Sequence, residues 1–90
     1  MFKIVLFGLD GCPDCEKQKE ILLTKFDDYD WDYIDIDNAC DSEQELMALY
    51  DINDPPTILI IKKISDEKSR IFRHVGIISE SKMRKFIDNF

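Results

Sequence analysis

Residues 2–15 read Phe2-Lys3-Ile4-Val5-Leu6-Phe7-Gly8-Leu9-Asp10-Gly11-Cys12-Pro13-Asp14-Cys15, an apolar run that stops at a glycine and leads into two cysteines spaced as C-x-x-C. The run from Phe2 to Phe7 predicts a largely buried strand. Pro13 suits the first position of a helix, where its missing N–H would have no partner anyway. From Cys15 to Phe26 the residues are good helix formers. Ile21, Leu22 and Phe26 form an inward stripe, and Glu16, Lys17 and Glu20 a wet one. The cysteine pair therefore sits where a strand gives way to a helix.

Working outward, Trp31 to Ile36 alternates and predicts a second strand. Ser42-Glu43-Gln44-Glu45 has the form of a capping box, predicting a helix to about Tyr50 with Leu46, Met47 and Leu49 on or near its buried side. Asn53-Asp54-Pro55-Pro56 breaks that helix. Thr57 to Ile61 is a solid β-branched and leucine run suited to the centre of a sheet. Lys62 to Ser69 predicts a hairpin connection, and Arg70 to Val75 an edge strand ended by Gly76. Ser79 offers a cap to a last amphipathic helix marked by Met83, Phe86, Ile87 and Phe90. The order β-α-β-α-β-β-α implies a right-handed crossover, a parallel pair and a later antiparallel hairpin. The expectation is an α/β fold, one domain over residues 1–90, with a four-stranded mixed sheet and helices on both faces.

Bulk properties narrow the function. The chain has 90 residues, 44% of them hydrophobic, ten aromatic residues and a net charge of −7. Nucleic acid and anionic membranes require clustered Lys and Arg, so neither is an expected partner. If charge steers a partner, that partner presents a basic surface; otherwise the excess acid serves solubility. The N-terminal apolar stretch is too short for an export signal, and no run is long enough to cross a bilayer. The expected compartment is the cytoplasm, where three cysteines, two of them in C-x-x-C, read as redox or metal chemistry rather than a disulfide framework.

The junction has its own chemistry. At a helix start, unpaired backbone N–H groups and the positive dipole end favour a thiolate at Cys12, and the thiolate is the reactive form. Cys15 returns to the same face one turn later, within reach of a mixed disulfide formed at Cys12. Asp14 opposes the thiolate by ~0.6–2 kcal/mol, while the helix terminus favours it by ~0.5–2 kcal/mol. The near balance predicts a Cys12 pKa only modestly below that of a free thiol, hence a reductant. Two cysteines can also fall together as small buried apolar residues, but a strand-to-helix junction weighs against that.

Cys12-Pro13-Asp14-Cys15 after an apolar strand, Pro-Thr about forty residues later and Val75-Gly76 before a final amphipathic helix resemble the thioredoxin superfamily over essentially the whole chain. The resemblance implies a minimal thioredoxin fold, Cys12 as nucleophile, Cys15 as resolving thiol and Pro56 as a cis proline facing them. Pro13 and Asp14 would support the pair, and Gly11, Pro55, Thr57 and Gly76 would meet substrate. It implies a small thiol–disulfide oxidoreductase reducing protein disulfides, with a disulfide reductase or glutathione as donor. Its redox-active disulfide would be the only prosthetic feature, with no metal, and it would act as a monomer. Proline directly after the first cysteine resembles glutaredoxins. Gly76 lacks the paired glycines and acidic residue that glutaredoxins use for glutathione. Asp10 would repel that tripeptide's carboxylates. Pro55, in the place that normally offers substrate both N–H and C=O, has no N–H. One bond worth about 0.5–1.5 kcal/mol is lost, so glutathione should bind poorly.

Other functions compete with this one. A glutaredoxin proper would use glutathione. A zinc site would need Cys40 and His74 to complete the pair's ligand set, and an iron–sulfur cluster would have to bridge two molecules. A non-catalytic binding module would use the fold as a scaffold only. Cys40, in an acidic loop, is expected to be a spectator, and His74 a surface residue of the edge strand. Trp31, Tyr33, Phe7 and Phe72 are expected to pack the sheet.

Overall fold

The computed structural model describes residues 2–89. Its elements are β1 (Phe2–Gly8), α1 (Pro13–Lys25), β2 (Asp30–Asp35), α2 (Asp41–Leu49), β3 (Thr57–Lys63), β4 (Ser69–Val75) and α3 (Glu80–Asn89). The four strands lie in the order β2-β1-β3-β4. The β1–β2 pair is parallel, and the β1–β3 and β3–β4 pairs are antiparallel. The expected α/β topology is the one observed.

Strand alternation divides the core in two. Ile4 and Leu6 of β1 and Ile58 and Ile60 of β3 face Leu22 and Phe26 of α1 and the α3 side of the sheet. Val5, Phe7 and Leu59 point the other way, toward Ile52 and the half-buried Leu46 and Met47 of α2. With both faces covered, the middle stretches of the two central strands, residues 4–7 and 58–61, are apolar at every position, which is why β1 and β3 read as solid runs rather than alternating ones. Each of the fully buried side chains among these contributes about 1.5–3 kcal/mol relative to exposure. The edges are charged instead. Lys3 reaches β2 through Asp32 at 2.8 Å and Asp30 at 3.0 Å, and these bonds, Asp32 first, raise its pKa.

The structure departs from expectation in several places. β2 ends at Asp35, because the Asp35 carboxylate accepts bonds from the Asp37 N–H at 3.0 Å and the Asn38 amide at 2.9 Å, turning the chain into a 3-10 turn over Ile36–Asn38. α2 begins earlier than Ser42 would set it. Cys40 occupies the cap position, and its N–H donates to the Glu43 carboxylate at 2.9 Å. At 100° per residue Leu46, Met47 and Tyr50 share one arc and Leu49 falls outside it; Leu49 is 73% exposed. The β3–β4 ladder runs to Lys63 and Ser69, so the hairpin loop is shorter than expected. His74 is half-buried rather than a surface residue, its ring stacked 6.2 Å from Phe72. Ser79 caps α3, accepting the Lys82 N–H at 3.3 Å. Phe90 lies outside the described residues.

Candidate functional site

The strand register assembles the site. Phe7 pairs with Thr57, and Thr57 with Val75. The segment from Gly8 to Cys12, the turn at Pro55–Pro56 and Gly76 therefore come to the same end of the sheet.

Cys12 is the N-cap residue of α1, with Pro13 next and Asp14 exposed in the first turn. The Cys12 sulfur accepts the backbone N–H of Cys15 at 3.2 Å. That bond and the positive end of the helix dipole both favour negative charge on Cys12 once the pair is reduced. In the structure the two sulfurs form a disulfide, with the Cα atoms 5.2 Å apart. Their surroundings differ: Cys12 is partly exposed, whereas Cys15 is 1% exposed. Only one of the two sulfurs can be met from solution.

At the same end of the sheet as the pair, the Pro55–Pro56 bond is cis, as the resemblance implied. Pro56 is buried and its carbonyl accepts the Gly76 N–H at 2.8 Å, tying the prolyl turn to the end of β4. The Thr57 hydroxyl donates to the Asp54 carbonyl at 2.6 Å. Thr57 is fully buried, so its side chain braces the turn instead of reaching outward. Pro55 is half-buried, leaving its carbonyl, and no N–H, as the backbone group it offers a partner. Gly11 and Gly76 have φ of +75° and +93°, which only glycine adopts without strain.

Gln18 escaped the sequence reading, and so did the close approach of Tyr33 to Gly8, Tyr33 having been expected only to pack the sheet. Gln18 is fully buried; its carbonyl oxygen accepts the Ile78 N–H at 2.7 Å and its amide lies 3.7 Å from the Met83 sulfur. The signal was present in the spacing, since Cys15, Gln18, Leu22 and Phe26 follow one helical face and all are buried. Tyr33 crosses Gly8 so closely that a side-chain carbon there would lie 2.7 Å from its hydroxyl. Burial, then the carboxylates of Asp35, Asp10 and Glu16, raise the Tyr33 pKa. Lys19 stands over the same ring, 4.6 Å from its centre.

The zinc set does not assemble. Cys40 follows β2 and His74 lies on β4, the two opposite edges of the sheet. Among the described residues no group of three or more His, Cys, Asp and Glu is placed to hold a metal ion. Among them, too, no helix is long and apolar enough to cross a membrane.

The fold is shared with solved thioredoxins. A chloroplastic thioredoxin z matches with a TM-score of 0.77 at 20% identity, over 99% of this chain and 77% of that one. The thioredoxin of Trichomonas vaginalis matches with 0.77 at 18% identity, over 99% and 78%. That of Fasciola hepatica matches with 0.67 at 24% identity, over 98% and 79%. No curated protein sequence matches the chain. The glutaredoxin family model matches residues 4–64, from β1 through the cysteine pair and the prolyl turn to just past β3. With that match over most of its length and a cysteine pair at the strand-to-helix junction, the chain belongs to the glutaredoxin family and is of the thiol–disulfide oxidoreductase type.

Proposed function

We propose that the protein reduces disulfides of other proteins, with Cys12 as the attacking and Cys15 as the resolving thiol. The observation that carries this reading is the asymmetry of the pair: a partly exposed Cys12 at the helix cap above a buried Cys15. The Cys12 thiolate attacks one sulfur of a target disulfide, and that bond breaks as the Cys12–target bond forms. The departing target thiolate takes up a proton. The Cys15 thiolate then attacks the Cys12 sulfur, releasing the second target thiol and leaving the Cys12–Cys15 disulfide. Two electrons have passed to the target, and a disulfide reductase or a thiol pool returns them. Such a cycle belongs in a reducing compartment such as the cytoplasm, with the protein acting as a monomer.

A second reading has glutathione as the donor, and the glutaredoxin family match favours it. Pro55 and Asp10 weigh against it, one by lacking a donor, the other by repelling carboxylates. Reduction of insulin disulfides separates the two. Turnover sustained by thioredoxin reductase and NADPH, and lost in Cys12→Ser and Cys15→Ser, supports the first reading; equal or faster turnover with glutathione and its reductase supports the second.

A further inference from the structure

The end of the sheet that carries Cys12 differs in charge from the opposite end. At the far end the cations Lys3 and Lys63 pair with carboxylates, Lys3 with Asp30 and Asp32 and Lys63 with Asp66. At the dithiol end Asp10, Asp14 and Asp54 are exposed, and among the described residues none is in an ion pair. Asp10 precedes the cysteine pair, Asp14 lies inside it and Asp54 precedes the prolyl turn, so the three belong to the two chain segments that the strand register brings to the Cys12 end of the sheet. Of the lysines in this region, Lys19 lies over the Tyr33 ring, and Lys17 is exposed in the groove beside Ile77, which Glu20 and Glu80 also line. Arg73 donates to the carbonyls of Tyr50 and Asp51 at 3.0 and 2.9 Å.

Inside this acidic rim the surface is apolar. Val75 and Ile77, on either side of Gly76, are 42% and 41% exposed, and Pro13 and part of Pro55 add to the patch. A partner seated there buries apolar surface and brings its own charges against unpaired carboxylates.

We propose that this rim makes the protein selective for disulfides in extended apolar segments flanked by Lys or Arg, and that it discriminates against anionic disulfides. The inference rests on the reading of Cys12 as the exchanging sulfur, and it deepens that reading by naming the substrate class. The exchange itself is unchanged: the flanking cations raise the rate of productive encounter and hold the target disulfide above Cys12.

The test uses two synthetic peptides, identical except that Lys or Glu flanks the disulfide on both sides. The reduced protein is mixed with each, and the rate at which it becomes oxidised is followed by acid quench and mass spectrometry. Taking the ratio of the two rates cancels the intrinsic reactivity of the Cys12 thiolate. At low ionic strength the Lys peptide should react about tenfold faster, and the gap should shrink toward unity as salt screens the rim. The double variant Asp10→Asn/Asp54→Asn should narrow the ratio to about a third of its starting value. Asp66→Asn/Glu67→Gln, in the far hairpin, changes the net charge equally and should leave the ratio alone. A ratio near one at low salt, or an equal loss in the hairpin variant, overturns the inference while leaving the dithiol reading intact. Failure of both peptides to oxidise the protein overturns the dithiol reading and the inference with it.

Discussion

The carbonyl oxygen of the Gln18 side chain accepts the backbone N–H of Ile78 at 2.7 Å, joining the helix that carries the cysteine pair to the chain just after Gly76. Both partners are buried, so neither has water as an alternative. This one bond ties the two strands' exits together behind the dithiol, and Gly76 in turn holds the Pro56 carbonyl.

Gln18→Ala should therefore cost about 1–3 kcal/mol, the penalty for a buried N–H left without a partner. Urea unfolding measures it as a lower midpoint with an unchanged slope. Gln18→Glu keeps an acceptor but buries an ionisable group whose pKa burial raises above its unfolded value. Its stability should match the parent at low pH and fall as pH rises through the native pKa. Parental stability for Gln18→Ala would show the bond to be incidental.

Pro55→Thr supplies the N–H that the residue before the prolyl turn lacks, in an extended conformation that a residue before proline adopts readily. One added hydrogen bond of about 0.5–1.5 kcal/mol corresponds to roughly a two- to twelvefold gain with glutathione mixed disulfides. Steady-state kinetics on a glutathionylated peptide reads this as a lower KM. An unchanged KM would mean that substrate does not pair with this backbone.

Asp14→Asn removes the carboxylate that sits inside the cysteine pair while keeping its size. Because Asp14 is exposed, the Cys12 pKa should fall by roughly half a unit, the low end of the ~0.6–2 kcal/mol Coulomb range. Thiolate absorbance of the reduced protein gives both midpoints. The parent should titrate modestly below a free thiol, and a parental midpoint below about 5 would contradict the balance between Asp14 and the helix terminus.

Tyr33 provides a pH test of the site's surroundings. Burial and the carboxylates of Asp35, Asp10 and Glu16 hold its phenol above the ordinary value of 10.0. The folded protein then keeps this proton where the unfolded chain gives it up. The stability linked to it is fully present below the unfolded pKa and is lost as pH rises through the folded one. Phenolate absorbance should show one tyrosine titrating late in the folded protein, and Asp10→Asn should bring it earlier.

Local pattern accounts for what was legible beforehand. Four consecutive buried residues, Ile4 to Phe7, run into a glycine and Cys12-Pro13-Asp14-Cys15, so the strand, the turn and the helix start each leave a mark of their own. Thr57 to Ile60 likewise demands the sheet centre because both of its faces are covered. The misreadings needed contacts that no short window contains. Ser42 and Cys40 both stand three residues before a glutamate, and the packing of Leu46 and Met47 on the sheet favours Cys40. Gln18 looks like a surface residue until its partner, sixty positions away, is known. The Tyr33 hydroxyl is placed by the register that sets Tyr33 beside Leu6 and next to Gly8.

Trapping the mixed disulfide tests the assignment of the two thiols most directly. Reduced Cys15→Ser protein is incubated with a protein disulfide, quenched with acid and mapped by mass spectrometry. One adduct on Cys12 is expected, persistent because no resolving thiol remains, and the converse Cys12→Ser protein should carry none on Cys15. An adduct on Cys15 or Cys40, or no adduct on Cys12, would contradict it.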